Sequence, residues 1–194
     1  MSSTVCVVST ASRGIGLEFA KQLLDTTPSS NSVVGLCRNP SKELLRLKEQ
    51  FPERVEIIEV DLESPAAIEQ ASQTVKERFG RVDLLLNVAA ILGDGKTEGE
   101  GPERALSKIN PDWLQKSLSI NLMGHVLMTQ ALFPLMIAAS KNKTTGTPID
   151  PRVVNVSARV GSISDNGLGG WYSYRMSKAA LNQFTKTFSI EAKR

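Results

Sequence analysis

Five short runs dominated by Val, Ile and Leu punctuate the sequence: TVCVVS (4–9), SVVGLC (32–37), RVEIIEV (54–60), VDLLLNV (82–88) and RVVNVS (152–157). Between them, stretches 15–24, 42–51, 65–79 and 111–139 carry apolar residues three and four positions apart, the period of a helix with one buried face. Strands that are apolar at nearly every position bury both faces, and parallel strands joined through helices need right-handed crossovers. The pattern therefore predicts an α/β fold, a doubly wound parallel sheet with five recognisable strands. Ser64 and Asn110 stand as N-caps ahead of Pro65 and Pro111, where a missing N–H costs the first helical turn nothing. At 194 residues, 41% hydrophobic, the chain is long enough to bury a core, and one domain over 1–194 is expected.

Charge and cysteine usage narrow the function. The net charge of +3 comes from 23 basic and 20 acidic residues spread along the chain, with 5% aromatics, which argues against nucleic-acid binding. Cys6 and Cys37 lie in separate apolar runs and there is one histidine, so neither a zinc set nor a redox pair is expected. The first strand-like run starts at Thr4 with no export or transit signal ahead of it, and no run approaches the ~18 apolar residues of a membrane span. A cytoplasmic protein without membrane association is expected, and the patterns Asn142-Lys-Thr and Asn155-Val-Ser read as chance glycosylation matches. The segment ILGDGKTEGEGPERALSKIN, rich in Gly and charge, reads as a mobile rim loop.

After the first run comes STASRGIG, which opens a helical pattern. Free N–H groups and the positive end of a helix dipole attract phosphate at such a turn, and glycine lets the backbone approach it. Gly14 and Gly16 keep that closeness, with Ser12, Arg13 and Ile15 supplying the turn around them. Thr10 stands where such turns usually begin with glycine. At negative φ it is tolerated and its hydroxyl is free to donate to phosphate; at positive φ cofactor binding suffers. The second run ends in Cys37-Arg38, where an NAD site usually has an acid for the ribose 2′-OH. Arg38 and Arg13 instead match a 2′-phosphate in charge and geometry, which points to NADPH/NADP.

Tyr174 and Lys178, in YSYRMSK, are four apart and so share a helix face. Ser157 is expected to close the fifth strand, at the sheet edge where such folds bind ligands, and Asn121 lies in the long helix before it. His125, one turn beyond Asn121, reads as a packing residue rather than a base.

The ordered set formed by the glycine turn, VDL (60–62), NVAA (87–90), Asn121, Ser157 and the Tyr174/Lys178 pair resembles the short-chain dehydrogenase/reductase family across nearly the whole chain. Within it, ARVGSISDNGLGGWYSYRMSKAALNQFTKTFSIE is most similar to the C-factor and sniffer-type carbonyl reductases. The resemblance implies an NADP-dependent oxidoreductase acting on a small-molecule carbonyl or alcohol. Tyr174 would be the general acid, Ser157 would hydrogen-bond the same oxygen, and Asn121 would hold a relay water. Lys178 would lower the tyrosine pKa and hold the nicotinamide ribose, Asp61 would meet the adenine and Asn87 the adenosine side, and Leu62 and Ala89 would also bind the cofactor. The family usually has glycine where this chain has Thr10 and Ala90, which bears on affinity more than on chemistry.

The last pattern, KAALNQFTKTFSIEAKR, sets Leu181, Phe184 and Phe188 on one helix face, and the expected sixth strand and later elements of the family do not follow. A shortened family member is expected, with an open fifth-strand edge prone to aggregation. The alternative reading is a catalytically impaired short form acting as a binding or regulatory module. Either could form a homo-oligomer through helices 111–139 and 174–193. A methyltransferase-type domain would also use a glycine turn but leaves Tyr174/Lys178 unexplained.

Overall fold

The computed structural model describes residues 4–25, 31–141 and 150–193; Asn142-Lys-Thr lies outside them. Five parallel strands form one sheet: β1 (Val5–Ser9), β2 (Ser32–Cys37), β3 (Val55–Glu59), β4 (Leu84–Asn87) and β5 (Arg152–Asn155). The strand order is β3-β2-β1-β4-β5. The chain steps outward from β1 to β3, then returns to the other side of β1, so right-handed crossovers put helices on both faces, as doubly wound topology demands. β1 pairs with β2 from Val5↔Ser32 to Ser9↔Leu36 and with β4 from Cys6↔Leu84 to Val8↔Leu86. Burial follows position in the sheet. All five β1 residues are buried, whereas the edge strand β5 is alternately exposed and half-buried, with Val154 41% exposed. The expectation of two covered faces therefore holds for the centre of the sheet and fails at β5.

The helices are α1 (Gly14–Asp25), α2 (Lys42–Gln50), α3 (Pro65–Phe79), α4 (Pro111–Leu118), α5 (Gly124–Lys141) and α6 (Tyr172–Glu191). Ser64 caps α3 by accepting from Ala67 N, and Asn110 caps α4 by accepting from Asp112 N and Trp113 N. Ser41 does the same for α2 through Leu44 N. The predicted helix 111–139 is interrupted by a π-helical turn, Ser119–Met123, between α4 and α5. Pro111–Lys141 as a whole is long and apolar enough to cross a membrane by length and composition. In this fold it buries Trp113, Ile120, Met128, Leu132 and Met136, as the core helix of a globular domain does.

The chain divides into two compact units. The first comprises residues 1–88 and 127–154, the second 89–126 and 155–194. The core of the first gathers Val8, Ala20, Leu24, Val33, Leu44, Leu47 and Leu86. Cys6 and Cys37 are free and buried, and burial together with the Asp83 charge pushes the Cys6 thiol up to about 12. In the second unit the Gly-rich segment is folded on itself, with residues 94–98 and 104–108 exposed. Gly95 N donates to Gly101 O at 3.1 Å, and Gly101 and Glu103 are buried. Gly93 is obligatory there, since a Cβ would lie 1.8 Å from Gly101 O.

Candidate active site

In the first unit the turn after β1 begins with Thr10 at φ +60, the unfavourable case for a β-branched residue. The conformation has a clear use. It tucks the Thr10 carbonyl beneath the start of α1, where a Cβ on Gly16 would be 2.4 Å from that oxygen. The Thr10 hydroxyl donates to Ser9 O at 2.7 Å, so it serves the turn and not a phosphate. Gly14 adopts φ +55 with nothing within 4 Å of its Cβ position, leaving open space at the mouth of α1. Ile15 is 60% exposed beside it, consistent with a role for its backbone N–H and not its side chain.

Ser12 Oγ donates to Asn39 O at 2.6 Å, which ties the turn to the residue after Arg38. Arg13 and Arg38 are both exposed and neither forms an ion pair among the described residues. Their guanidinium groups are therefore available to an anion. Past β3, Asp61 is exposed and its Oδ1 accepts from Glu63 N at 3.0 Å, while Leu62 is buried. At the switch point between β1 and β4, Val88 N donates to Ser9 Oγ at 3.0 Å. Asn87 is fully buried and its Nδ2 donates to Thr129 Oγ1 at 3.0 Å, which pins the end of β4 to α5.

The second unit contains all four predicted catalytic residues. Lys178, 1% exposed, donates from Nζ to Val156 O at 2.8 Å, and Nζ lies 5.8 Å from the centre of the Tyr174 ring. Burial pulls the Lys178 ammonium down to about 8. Burial also raises the Tyr174 phenol above its ordinary value, with no opposing effect of the Lys178 cation. Desolvation of the half-buried ring sets this direction, and no lowering by Lys178 is resolved beside it.

Ser157 lies beyond β5, which ends at Asn155, because the sheet ladder stops before the turn Arg159–Gly161. Its hydroxyl donates to Asn182 Oδ1 at 2.6 Å, so donation to a substrate oxygen requires that bond to swing away. Gly161 permits this packing, since a Cβ there would fall 2.9 Å from both Asn182 Nδ2 and Lys178 C.

Asn121 sits in the π-helical turn, fully buried. Its Oδ1 accepts from Ile91 N at 2.7 Å, while Nδ2 donates to Ile91 O, Ser117 Oγ and Ser177 Oγ at 2.9, 3.2 and 3.1 Å. Both N–H groups are engaged, so the expected relay water has no amide donor here and only an Oδ1 lone pair remains. Ser177 in turn donates to Tyr174 O at 2.8 Å, linking Asn121 to Tyr174 through α6. His125 is fully buried and bonded through Nε2 to Ala89 O at 2.8 Å. Burial lowers its pKa to about 4, so it is a neutral packing residue.

Three partners of the site were invisible in the sequence. Asn182 and Ser177 carry no motif, and Glu103, which bonds Ser173 beside Tyr174, is 70 residues away from it.

A family model described as short chain dehydrogenase matches residues 4–194. An NADPH-bound carbonyl reductase from chicken fatty liver superposes with a TM-score of 0.86 at 28% identity, over 100% of this chain and 75% of that one. The carbonyl reductase Sniffer of D. melanogaster gives 0.84 at 26% identity, over 98% of this chain and 75% of its own. The C-signal protein of Myxococcus xanthus is 31% identical over 58% of this chain and 57% of its own. The chain spans 54%, 67% and 68% of the length of three further curated relatives. With the family model covering nearly the whole chain and the strand order of a doubly wound sheet, the chain belongs to the short-chain dehydrogenase/reductase family.

Proposed function

We propose that the protein is an NADPH-dependent oxidoreductase that reduces a carbonyl group on a small molecule, with Tyr174 as proton donor. The observation that carries this reading is the arrangement on the first turns of α6. A half-buried phenol whose pKa is raised stands beside a buried lysine tied to Val156 O, in one compact unit with Ser157 and Asn121.

The donor chemistry of the first unit suits the cofactor. Gly14 leaves room for a pyrophosphate at the N-terminus of α1, and Arg13 and Arg38 offer unengaged guanidinium groups to a 2′-phosphate. The chicken relative's NADPH supports the same choice. When bound, the reduced nicotinamide supplies the hydride. Tyr174 gives its phenolic proton to the carbonyl oxygen, yielding an alcohol, and Ser157 turns its hydroxyl from Asn182 toward the same oxygen. Lys178, its pKa pulled down to about 8, would return a proton toward Tyr174, and its remaining N–H groups would hold the ribose hydroxyls of a bound cofactor.

The test is NADPH consumption by the full chain against a panel of aromatic ketones, aldehydes and diketones, with alcohol formation followed in parallel. Carbonyl-dependent consumption lost in Tyr174→Phe supports the reading. Tight NADPH binding without any carbonyl turnover would replace it with the binding-module alternative.

A further inference from the structure

We propose that Glu103 is a positioning residue for Tyr174: it reaches from the folded 91–110 segment to the N-terminus of α6 and fixes the residues on either side of Tyr174's first turn. The inference rests on the reading of Tyr174 as proton donor, and the geometry behind it is independent of that reading.

α6 is a 20-residue helix with no side-chain cap of its own. Its N-cap position is Trp171, at φ +55 and ψ 43, a left-handed conformation that is strained for an aromatic residue. Glu103 supplies what is missing. Its carboxylate accepts from Ser173 N at 3.3 Å and from Ser173 Oγ, and its main-chain oxygen accepts from Trp171 N at 2.5 Å. A carboxylate at this place satisfies an orphan N–H and meets the positive end of the helix dipole. Glu103 is 4% exposed and Ser173 fully buried, so the contact is shielded from water.

The segment is built to deliver that carboxylate. Gly101, two residues earlier, is buried against Trp113, where a Cβ would lie 2.5 Å from Nε1, while residues 104–108 are exposed. The Trp171 ring, held by the same clamp, meets the Tyr174 ring edge-on at 6.4 Å. Ser173 and Trp171 thus flank Tyr174, and Glu103 holds both. Displacing the segment removes the cap, lets Trp171 leave its strained conformation, and admits water to the phenol.

The test uses the full chain in a Tyr172→Phe background, so that Tyr174 alone reports as phenolate by ultraviolet absorbance; Lys178 is the charged group facing it, and it is present in every variant. In Glu103→Ala, Tyr174 should titrate at lower pH than in the parent. Amide exchange at 172–175 and 101–104 should rise together by about tenfold, the size of effect that a lost N-cap gives, with α3 unchanged. Glu103→Gln, which still accepts from Ser173, should restore most of both signals, and Ser173→Ala should give an intermediate result if Glu103→Ala does not fold. Where turnover is measurable, kcat should fall with KM for NADPH unchanged. An unchanged Tyr174 titration beside a freed segment, or exchange that rises equally in α3, would overturn the assignment. Absence of turnover in the parent would count against the proton-donor reading, while titration and exchange still decide the role of Glu103.

Discussion

The Thr10 carbonyl lies 2.4 Å from where a Cβ on Gly16 would stand, so the left-handed Thr10 and the side-chain-free Gly16 are one device for bringing β1 into α1. Gly16→Ala forces the turn open against backbone, not against a flexible side chain. The expected cost is about 1–3 kcal/mol of stability and most of the affinity for NADPH. Thr10→Gly works the other way. Relief of a left-handed β-branched residue outweighs the extra freedom of an unfolded glycine, so a gain of up to about 1 kcal/mol and modestly tighter NADPH are expected. Urea unfolding and fluorescence titration measure both, and a neutral Gly16→Ala would show that the turn is not closed as described.

On the proposed reading, cofactor choice depends on the Arg13 and Arg38 guanidinium groups, which form no ion pair among the described residues. Arg38→Ala should lower NADPH affinity by about tenfold, the order expected for one exposed charge-assisted hydrogen bond, and leave NADH affinity almost unchanged. Arg13→Ala should do the same to a smaller or equal degree. Equal losses for both cofactors would assign the arginines to general phosphate attraction instead of 2′-phosphate recognition.

What could be read from the sequence was what is locally encoded. Five apolar runs and four helical periods gave the sheet, and Ser64 and Asn110 gave their caps, because each signal lies within one turn or one strand. Dihedral demands were less accessible. Thr10 adopts positive φ because Gly16 sits above its carbonyl, a fact of the folded turn and not of the letters. The helix 111–139 hid its π-helical turn, since one extra residue per turn over Ser119–Met123 leaves no mark in the apolar spacing of so short a stretch. Ser157 was placed on a strand because VVNVS remains apolar past the last ladder residue. The Glu103–Ser173 clamp spans 70 residues with no local signature, so the segment that carries it looked like a loose rim.

Tyr174→Phe keeps the ring and its edge contact with Trp171 while removing the phenolic hydroxyl, the proposed proton donor. Carbonyl reduction should fall by about a hundredfold or more, with NADPH affinity retained. Lys178→Met should reduce turnover and also weaken NADPH, because it removes both the proton route and the ribose donors. Comparable affinity losses in the two variants would mean that Tyr174 serves binding, not proton transfer.

Two buried bases contribute to the pH dependence of stability. His125 has a folded pKa of about 4 against an ordinary 6.5, because burial disfavours its charged form. Between those values the unfolded chain binds a proton that the folded chain does not, so stability rises with pH there and is lost as pH falls from about 6.5 toward 4. Lys178 contributes with the same sign at a higher window: with a folded pKa of about 8 against 10.5, its neutral form is favoured by folding and its own contribution rises with pH between those values. The Cys6 thiol, raised from 9.0 to about 12, contributes with the opposite sign above about 9, and the raised Cys37 thiol and Tyr174 phenol do the same. Urea midpoints should therefore show an ascending step between about 4 and 6.5 that His125→Gln flattens, and Lys178→Met should make stability fall more steeply above about pH 9. If the parent and His125→Gln lose stability in parallel between pH 6.5 and 4, His125 does not hold the neutral, buried state assigned to it, and its bond to Ala89 would have to be made by a charged ring.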